Sequence, residues 1–542
     1  MGEQVEGHAG DLALAALAPF GVDVMFTLNG GHVWPLYDSA RRRDVRIVDT
    51  RHEQTATWAA EAWAKLTRTP GLAVLTAGPG ITNGVSAITS AWFNASPLVV
   101  LGGRAPQGRW GSGSLQELDH VPIVATVTKS ALTVTDPAEM ARLVHQAAAA
   151  AISPHRGPVF LDIPMDVLFA PASADVPGPD PTLGRGADPD TDEVGAAARL
   201  IATAQRPAII AGTDVYSAGA WPSLLAAIEH LRVPCFANGM GRGCVPADHE
   251  LSFSRTRGRL KTEADVVVVI GAPLDFRLGF GSFGDAAVVH VTDHVDGRAG
   301  HATTAAAPTG DLATILDAFA AYSGPRADHD GWIGRLREAE QAAAAADRPL
   351  LDARTDPIKP SRVFGELGRR LARDAVVICD GGDFASYAGK FVDVHTPGCW
   401  LDTGPYGCLG NGPGYAIAAR LARPSAQVVA LLGDGAAGFS LMDVDTMVRH
   451  RLPAVLIVGN NGVWGLEKHP MRAIYGWDVA CDLQPECRYD QVVEALGGAG
   501  ELVRRPDDIG PALDRAFASP VPYLVNVVTD PADVYPRTSN LA

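Results

Sequence analysis

Residues 431–470 read LLGDGAAGFSLMDVDTMVRHRLPAVLIVGNNGVWGLEKHP, and their order decides the fold. One apolar run stops at the acidic turn Gly433-Asp434-Gly435, and the next stops at the pair Asn460-Asn461. Between them Leu441, Val444, Met447 and Val448 recur at helical spacing. The pattern is strand, turn, helix, strand, a crossover that makes the two strands parallel neighbours. Both exit loops then open on one edge of the sheet, where open α/β sheets bind ligands, so Asp434 and Asn461 are predicted to face one ligand.

A chain of 542 residues is too long for one hydrophobic core, and about three domains is the natural expectation. With 47% hydrophobic and 20% charged residues, the composition is that of an ordinary globular protein. A formal charge of −16 argues against nucleic acid or an anionic membrane surface as a partner. Seven cysteines lie scattered without a CxxC pair, which suits a reducing cytoplasm better than a disulfide framework. The start of the chain shows no signal pattern and no apolar run reaches membrane-spanning length. A cytoplasmic protein that spans no membrane is expected.

Short β-branched runs alternate with Ala-rich helical patterns, which predicts an α/β fold of three doubly wound parallel sheets. The expected strands are 47–50, 72–76, 98–101 and 159–162, then 208–211, 266–271 and 288–291, then 376–379, 428–432, 454–458 and 523–527. Domains are expected at residues 1–170, 193–320 and 361–542. A Pro-, Gly- and Asp-rich linker, 171–192, separates the first two. The second linker, 321–360, passes through the helix-forming EAEQAAAAADR and ends extended around Pro357 and Pro360.

A hard cation such as Mg²⁺ takes carboxylate, amide and phosphate oxygens, which Asp434, an asparagine and a nearby carbonyl can supply. Gly433 and Gly435 let the backbone approach a phosphate, and the helix start adds amide donors. A capped turn and an Asn-Gly turn explain either half taken singly. The two halves together, at the ends of consecutive strands, point to a metal-diphosphate site. Here the chain resembles the thiamine-diphosphate enzymes, whose signature is GDG, a helix-bearing spacer and NN, and the resemblance covers essentially the full length. It implies thiamine diphosphate and Mg²⁺ as cofactors, with Asp434, Asn461 and the carbonyl of Val463 as metal ligands.

Leu409, in GPYGCLGNGPGYAIAA, matches the apolar residue that props the cofactor into its bent shape; without the flanking glycines it would read as a core leucine. In IVDTRHEQTATWAAEAWAKL, Glu53 follows a strand and opens a helix, matching the family's carboxylate that hydrogen-bonds the aminopyrimidine ring. A first-turn glutamate also suits the helix dipole by itself. TAGPGITNGV, with Gly78 and Asn83, matches the family's first-domain pattern and places both at the cofactor. In relatives the first domain of one subunit faces the last domain of its partner, so a homodimer at minimum, and commonly a homotetramer, is implied.

LNGGHVWPLYD places His32 after a glycine turn, as benzaldehyde lyase and similar carboligases place an active-site histidine; a packing role is the other reading. SGSLQELDHV puts Gln116 where acetolactate synthases and 2-hydroxyacyl-CoA lyases both carry glutamine. NNGVWGLEKHP departs from the acetolactate synthase pattern and offers Glu467, Lys468 and His469 beyond the metal site. Decarboxylases of the family use an acid at the place of Glu467 to handle protons, the alternative being a solvated loop charge. RTRGRLK groups Arg255, Arg257, Arg259 and Lys261, either a handle for the phosphates of coenzyme A or ADP or a solvated basic face. VVHVTDH puts Asp293 where nucleotide-binding sheets hold a ribose, and Arg156 in HRGPVFLDIP is a further contributor. The CoA branch binds ADP in this domain, whereas acetolactate synthases bind FAD. The tail carries Tyr535 and Arg537; in oxalyl-CoA decarboxylase the C-terminus folds over substrate, and a frayed end is the plain alternative.

The resemblance thus implies a lyase of the 2-hydroxyacyl-CoA lyase and oxalyl-CoA decarboxylase branch, acting on a small acyl-CoA. The cofactor's C2 carbanion attacks the thioester carbonyl, the C1–C2 bond breaks, and an aldehyde or ketone and formyl-CoA leave. Glu53, Glu467, His32 and Gln116 are the expected catalytic residues. The alternative is an acetolactate synthase-like transferase that condenses 2-oxo acids. A non-catalytic, cofactor-binding regulator fits poorly with Glu53, Asp434 and Asn461 all present.

Overall fold

Val266–Ile270 is an unbroken run of β-branched residues, all buried, and such a strand is stable only when both faces of its sheet are covered. The computed structural model, which describes residues 3–180 and 182–535, places it inside a parallel sheet. There are three such sheets. The first has six strands in the spatial order Arg46–Asp49, Val24–Thr27, Gly71–Leu75, Leu98–Arg104, Val159–Pro164 and Ser130–Thr133. The third also has six, in the order Trp400–Asp402, Val376–Asp380, Val428–Gly433, Val455–Asn460, Tyr523–Val528 and Ala499–Val503. Between them in sequence lies a four-stranded sheet of Cys235–Ala237, Pro207–Ala211, Val266–Ile270 and Ala287–Val291.

Numbered along the chain within each sheet, both outer sheets run 2-1-3-4-6-5 and the central one 2-1-3-4. Each therefore changes winding direction between its strands 1 and 3, and the exit loops of those two strands flank a crevice. Alternation along the first-sheet strands shows how the sheets are covered. Ala73 and Leu75 enter one core, while Leu72 and Val74 enter a second that contains the helix Ala9–Leu17. The expected fold class is the one observed. No helix among the described residues is long and apolar enough to cross a membrane.

Two local expectations differ from the structure, and a third, the helix in the second linker, is met and extended. Residues 171–192 open with a strand, Pro171–Val176, that pairs antiparallel with Glu3–His8. Residues 321–360 contain the 22-residue helix Asp330–Leu351, whose buried Glu340 and Asp347 hold Arg255 and Lys390. Pro360, expected in extended backbone, begins the helix Pro360–Gly368, where its missing N–H costs nothing. The apolar period of 441–450 appears as a short turn and the helix Val444–Arg449, as the strand-helix-strand reading requires.

The first and third sheets meet where the helix Glu53–Thr67 packs on Gly412–Ala422. Gly414 is needed there, because a Cβ would come within 3.0 Å of the Thr55 carbonyl oxygen and 3.1 Å of Trp58. A buried polar group sits in this seam. Glu61 Oε1 accepts from Lys65 Nζ at 3.0 Å and Asn94 Nδ2 at 2.8 Å, and Oε2 accepts from the Tyr415 hydroxyl at 2.9 Å. Satisfied on every side, the pair is tolerated in the core, but removing one partner strands the other. Lys65→Met should lower stability by about 3–5 kcal/mol in chemical denaturation. A loss below about 1 kcal/mol, the size of a surface ion pair, would contradict the buried pairing.

Candidate active site

Asp434 is the first residue of the helix Asp434–Ser440, directly after the strand Val428–Gly433. Its carboxylate is 3% exposed and accepts the Gly462 N–H at 2.6 Å and its neighbour Gly435 N–H at 2.9 Å. Burial pushes the Asp434 carboxyl up to about 6, against the pull of those two bonds. The neighbouring strand Val455–Asn460 runs parallel, Gly433 beside Gly459, so Asn461 emerges on the same edge. The twin asparagines divide their work by facing opposite ways. Asn460 turns into the sheet, donating to the Cys487 carbonyl at 2.9 Å and Asn526 Oδ1 at 3.0 Å. Asn461 accepts the Val463 N–H at 3.1 Å. The backbone bonds Trp464 N–H to Cys481 and Leu483 N–H to Gly462 flank Val463, whose own carbonyl takes part in neither.

The residues present fit a hard cation and a diphosphate. A Cβ at Gly433 would meet nothing within 4 Å, so space lies open beside the buried Asp434 carboxylate. Carboxylate, amide and backbone oxygens are the donor set Mg²⁺ takes, leaving coordination for phosphate and water. A Cβ at Gly435 would come within 2.4 Å of the Trp464 ring, so its missing side chain accommodates the indole.

Two acids that sequence reasoning missed complete this edge. Asp380, wholly buried, accepts the Gly410 and Gly412 amides at 2.8 Å each and so braces the loop that carries Leu409. Leu409 leans over Gly381, where a Cβ would come within 1.8 Å of its Cδ2. Asp383 opens the helix Gly382–Phe391 beside Asn461. The described part of the tail packs against the third domain. Lys359 pairs with Asp533 at 3.2 Å, the Tyr387 hydroxyl donates to Asp533, and the Tyr535 ring meets Tyr387 edge-on at 4.9 Å. Arg537 lies outside the described residues.

The first sheet offers a second edge. Glu53 begins the helix Glu53–Thr67, is 7% exposed, and accepts from Asn83 Nδ2 at 2.9 Å. His32 leaves strand 1 and Thr76 leaves strand 3, and His32 Nδ1 meets Thr76 Oγ1 at 3.2 Å. Burial lowers the His32 pKa, so the ring is neutral at physiological pH, with the Leu115 carbonyl also in hydrogen-bonding reach. Gln116, held at φ +58°, lies over Gly78, where a Cβ would come within 2.8 Å of it. Gly78 was expected at the cofactor, yet its N–H donates to His120 Nε2 at 2.9 Å. A backbone N–H can only donate, so His120 carries its proton on Nδ1 and gives it to Asp162 at 2.9 Å. Gly78 thus positions Gln116 rather than presenting its amide to a ligand.

The residues expected to meet a nucleotide separate into two groups. Arg156 and Asp293 do come together, at 3.7 Å, at the edge of the central sheet. His155 joins them, 3.4 Å from Asp293 and 3.7 Å from Asp214. Arg255 belongs elsewhere: Glu340 at 3.7 Å and Asp347 at 3.3 Å occupy its guanidinium, so it holds the long helix in place. Arg259 pairs with Glu263 at 2.8 Å one turn on. Burial, followed by the charges of Arg242 and Arg277, lowers the Arg257 pKa. Glu467 is exposed in the first turn of the helix Gly465–Tyr475.

Comparison with known proteins identifies the family. Three family descriptions match in order: the N-terminal TPP binding domain of thiamine pyrophosphate enzymes over residues 8–123, their central domain over 194–319, and their C-terminal TPP binding domain over 380–527. The chain belongs to the thiamine pyrophosphate enzyme family. It is 53% identical to the acetolactate synthase large subunit IlvG of Mycobacterium tuberculosis over 99% of this chain and 98% of that protein. To 2-hydroxyacyl-CoA lyase 2 it is 31% identical in Danio rerio, over 92% of this chain and 87% of that protein. The Homo sapiens protein of that name is 32% identical over 92% of this chain and 86% of its own length.

Burial alone would lower the His155 pKa, but the charges of Asp214 and Asp293 outweigh it and raise it to about 9. A base raised in the fold contributes stability fully below its ordinary value of 6.5 and loses it as pH climbs through about 9. The ring is 39% exposed, so the effect is about 1 kcal/mol. Thermal unfolding midpoints should fall between neutral pH and about pH 10, and the fall should be shallower in His155→Gln. Identical pH profiles would show that this contact carries no net charge linkage.

Proposed function

We propose that the chain is a thiamine-diphosphate-dependent carbon–carbon lyase that cleaves a 2-hydroxyacyl-CoA into an aldehyde or ketone and formyl-CoA. When bound, the cofactor supplies a nucleophilic carbanion at C2 of its thiazolium ring. Asp434, Asn461 and the Val463 carbonyl would hold Mg²⁺, and the open Gly433 edge would receive the diphosphate. Leu409, braced through Asp380, would support the middle of the cofactor. Glu53, fixed at one oxygen by Asn83, would hold a proton at the aminopyrimidine ring with the other. His32 and Gln116, adjoining across Thr76 and Gly78, would orient the substrate carbonyl and hydroxyl, the neutral His32 being able to pass a proton. Glu467, on an exposed first turn, would act as the second acid/base that handles protons at the reacting carbon. A cytoplasmic homodimer, with Glu53 and Asp434 of different chains serving one cofactor, is part of this reading, and a homotetramer its natural extension.

The acyl-CoA assignment rests on Arg257. The groups acting on it are Arg242, Arg277 and Tyr535 rather than a carboxylate. Arg277 is paired with Asp275 at 2.7 Å and Arg242 donates to the Gly389 carbonyl at 2.9 Å, so Arg257 is the one of the three for which a phosphate of coenzyme A would supply the counter-charge. ADP at the Arg156–Asp293 edge belongs to the same reading. A second reading, acetolactate synthesis from 2-oxo acids with FAD at that edge, is favoured by the 53% identity to the mycobacterial protein.

The test is product analysis with thiamine diphosphate and Mg²⁺ supplied. Formyl-CoA should appear from 2-hydroxyacyl-CoA substrates, and Arg257→Ala should raise KM for them roughly tenfold, about 1.4 kcal/mol, with a smaller change in kcat. Acetolactate from pyruvate without thioester cleavage would establish the second reading instead.

A further inference from the structure

The side-chain amide of Asn461 has two chemically different ends, and only its oxygen can serve a cation. Its NH₂ end donates to Asp383 Oδ2 at 3.4 Å, and its oxygen accepts the Val463 N–H at 3.1 Å, leaving a lone pair for the site. Asp383 is itself held. Its Oδ1 accepts the Phe384 N–H at 2.8 Å, and its carboxylate is seated so closely on Gly465 that a Cβ there would lie 2.6 Å from Oδ2. The side chain is 8% exposed, in the first turn of the helix that follows strand 1 of the third sheet, while Asp434 occupies the exit of strand 3. The two carboxylates therefore flank the crevice where the winding reverses, with Asn461 beside them. A second buried acid there adds to the charge that opposes ionisation of Asp434. A carboxylate at 383 accepts only, so it can hold the amide of Asn461 one way round. A neutral asparagine in its place could hold either end.

We propose that Asp383 is a positioning residue that selects the orientation of the Asn461 amide and so presents its oxygen to the cation. This rests on the reading of the Asp434–Asn461 edge as the Mg²⁺ site. Flipping the amide would set its oxygen against the Asp383 carboxylate and its NH₂ against the Val463 N–H, losing both hydrogen bonds.

The experiment measures Mn²⁺ binding to the full chain by electron paramagnetic resonance, with thiamine diphosphate present. Asp383→Asn should weaken Mn²⁺ binding about 10–100-fold, the range for lost outer partners of a metal ligand. The metal-free variant should unfold at a temperature no lower than wild type, since a buried charge has been removed. The decisive comparison is made in Asn461→Asp, whose carboxylate has no donor end to exclude. There the same Asp383→Asn change should cost nothing. An equal loss in both backgrounds would assign the effect to charge alone and overturn the orienting role, as would unchanged Mn²⁺ binding in Asp383→Asn. If wild type takes up no Mn²⁺, the edge is not a cation site, and the functional reading falls together with this one.

Discussion

A carboxylate buried at the end of a parallel strand is costly, and the third sheet is arranged around one. Asp434 keeps its charge within reach only through the amides of Gly435 and Gly462, and even so its pKa stands near 6. Such a group is expensive unless a cation shares the site. The neighbouring loops follow from that need. Gly433 leaves room beside the carboxylate, Gly435 admits the Trp464 ring, and Asn461 brings a second oxygen from the next strand. The chemistry of the site begins with this concentration of oxygen at a sheet edge.

The two outer sheets share one strand order but carry opposite chemistry at their edges. The third presents carboxylates and amides, suited to a metal and phosphates. The first presents Glu53, a neutral His32 and Gln116, suited to a heteroaromatic ring and a carbonyl substrate. The helix that begins with Glu53 and the helix that follows Leu409 are locked through Glu61, Lys65 and Tyr415. Shifting one edge therefore strains the element that positions the other.

Much of this was legible in residues 431–470. A strand-helix-strand crossover fixes direction and edge without further information, so Asp434 and Asn461 had to emerge side by side. The position of Glu53 at a strand-to-helix turn was legible too, while its role came from the family resemblance alone. Asp380 and Asp383 were not, because isolated acids in DGGD show no partner until the loop 409–412 and Asn461 fold against them. Gln116 over Gly78 and the Trp464 ring over Gly435 were not legible either, although both glycines were singled out. A glycine reveals close approach but not what approaches. Arg255 looked like a phosphate handle because its partners Glu340 and Asp347 lie 85 and 92 residues away.

The proposed chemistry requires that third-sheet edge to grip a diphosphate through a divalent ion. Calorimetric titration of the purified chain with thiamine diphosphate, once with Mg²⁺ and once with a chelator, tests it most directly. Saturable binding that requires Mg²⁺ and disappears in Asp434→Ala is the expected result. Binding that is equally tight with the chelator present, or that survives loss of Asp434, would contradict it.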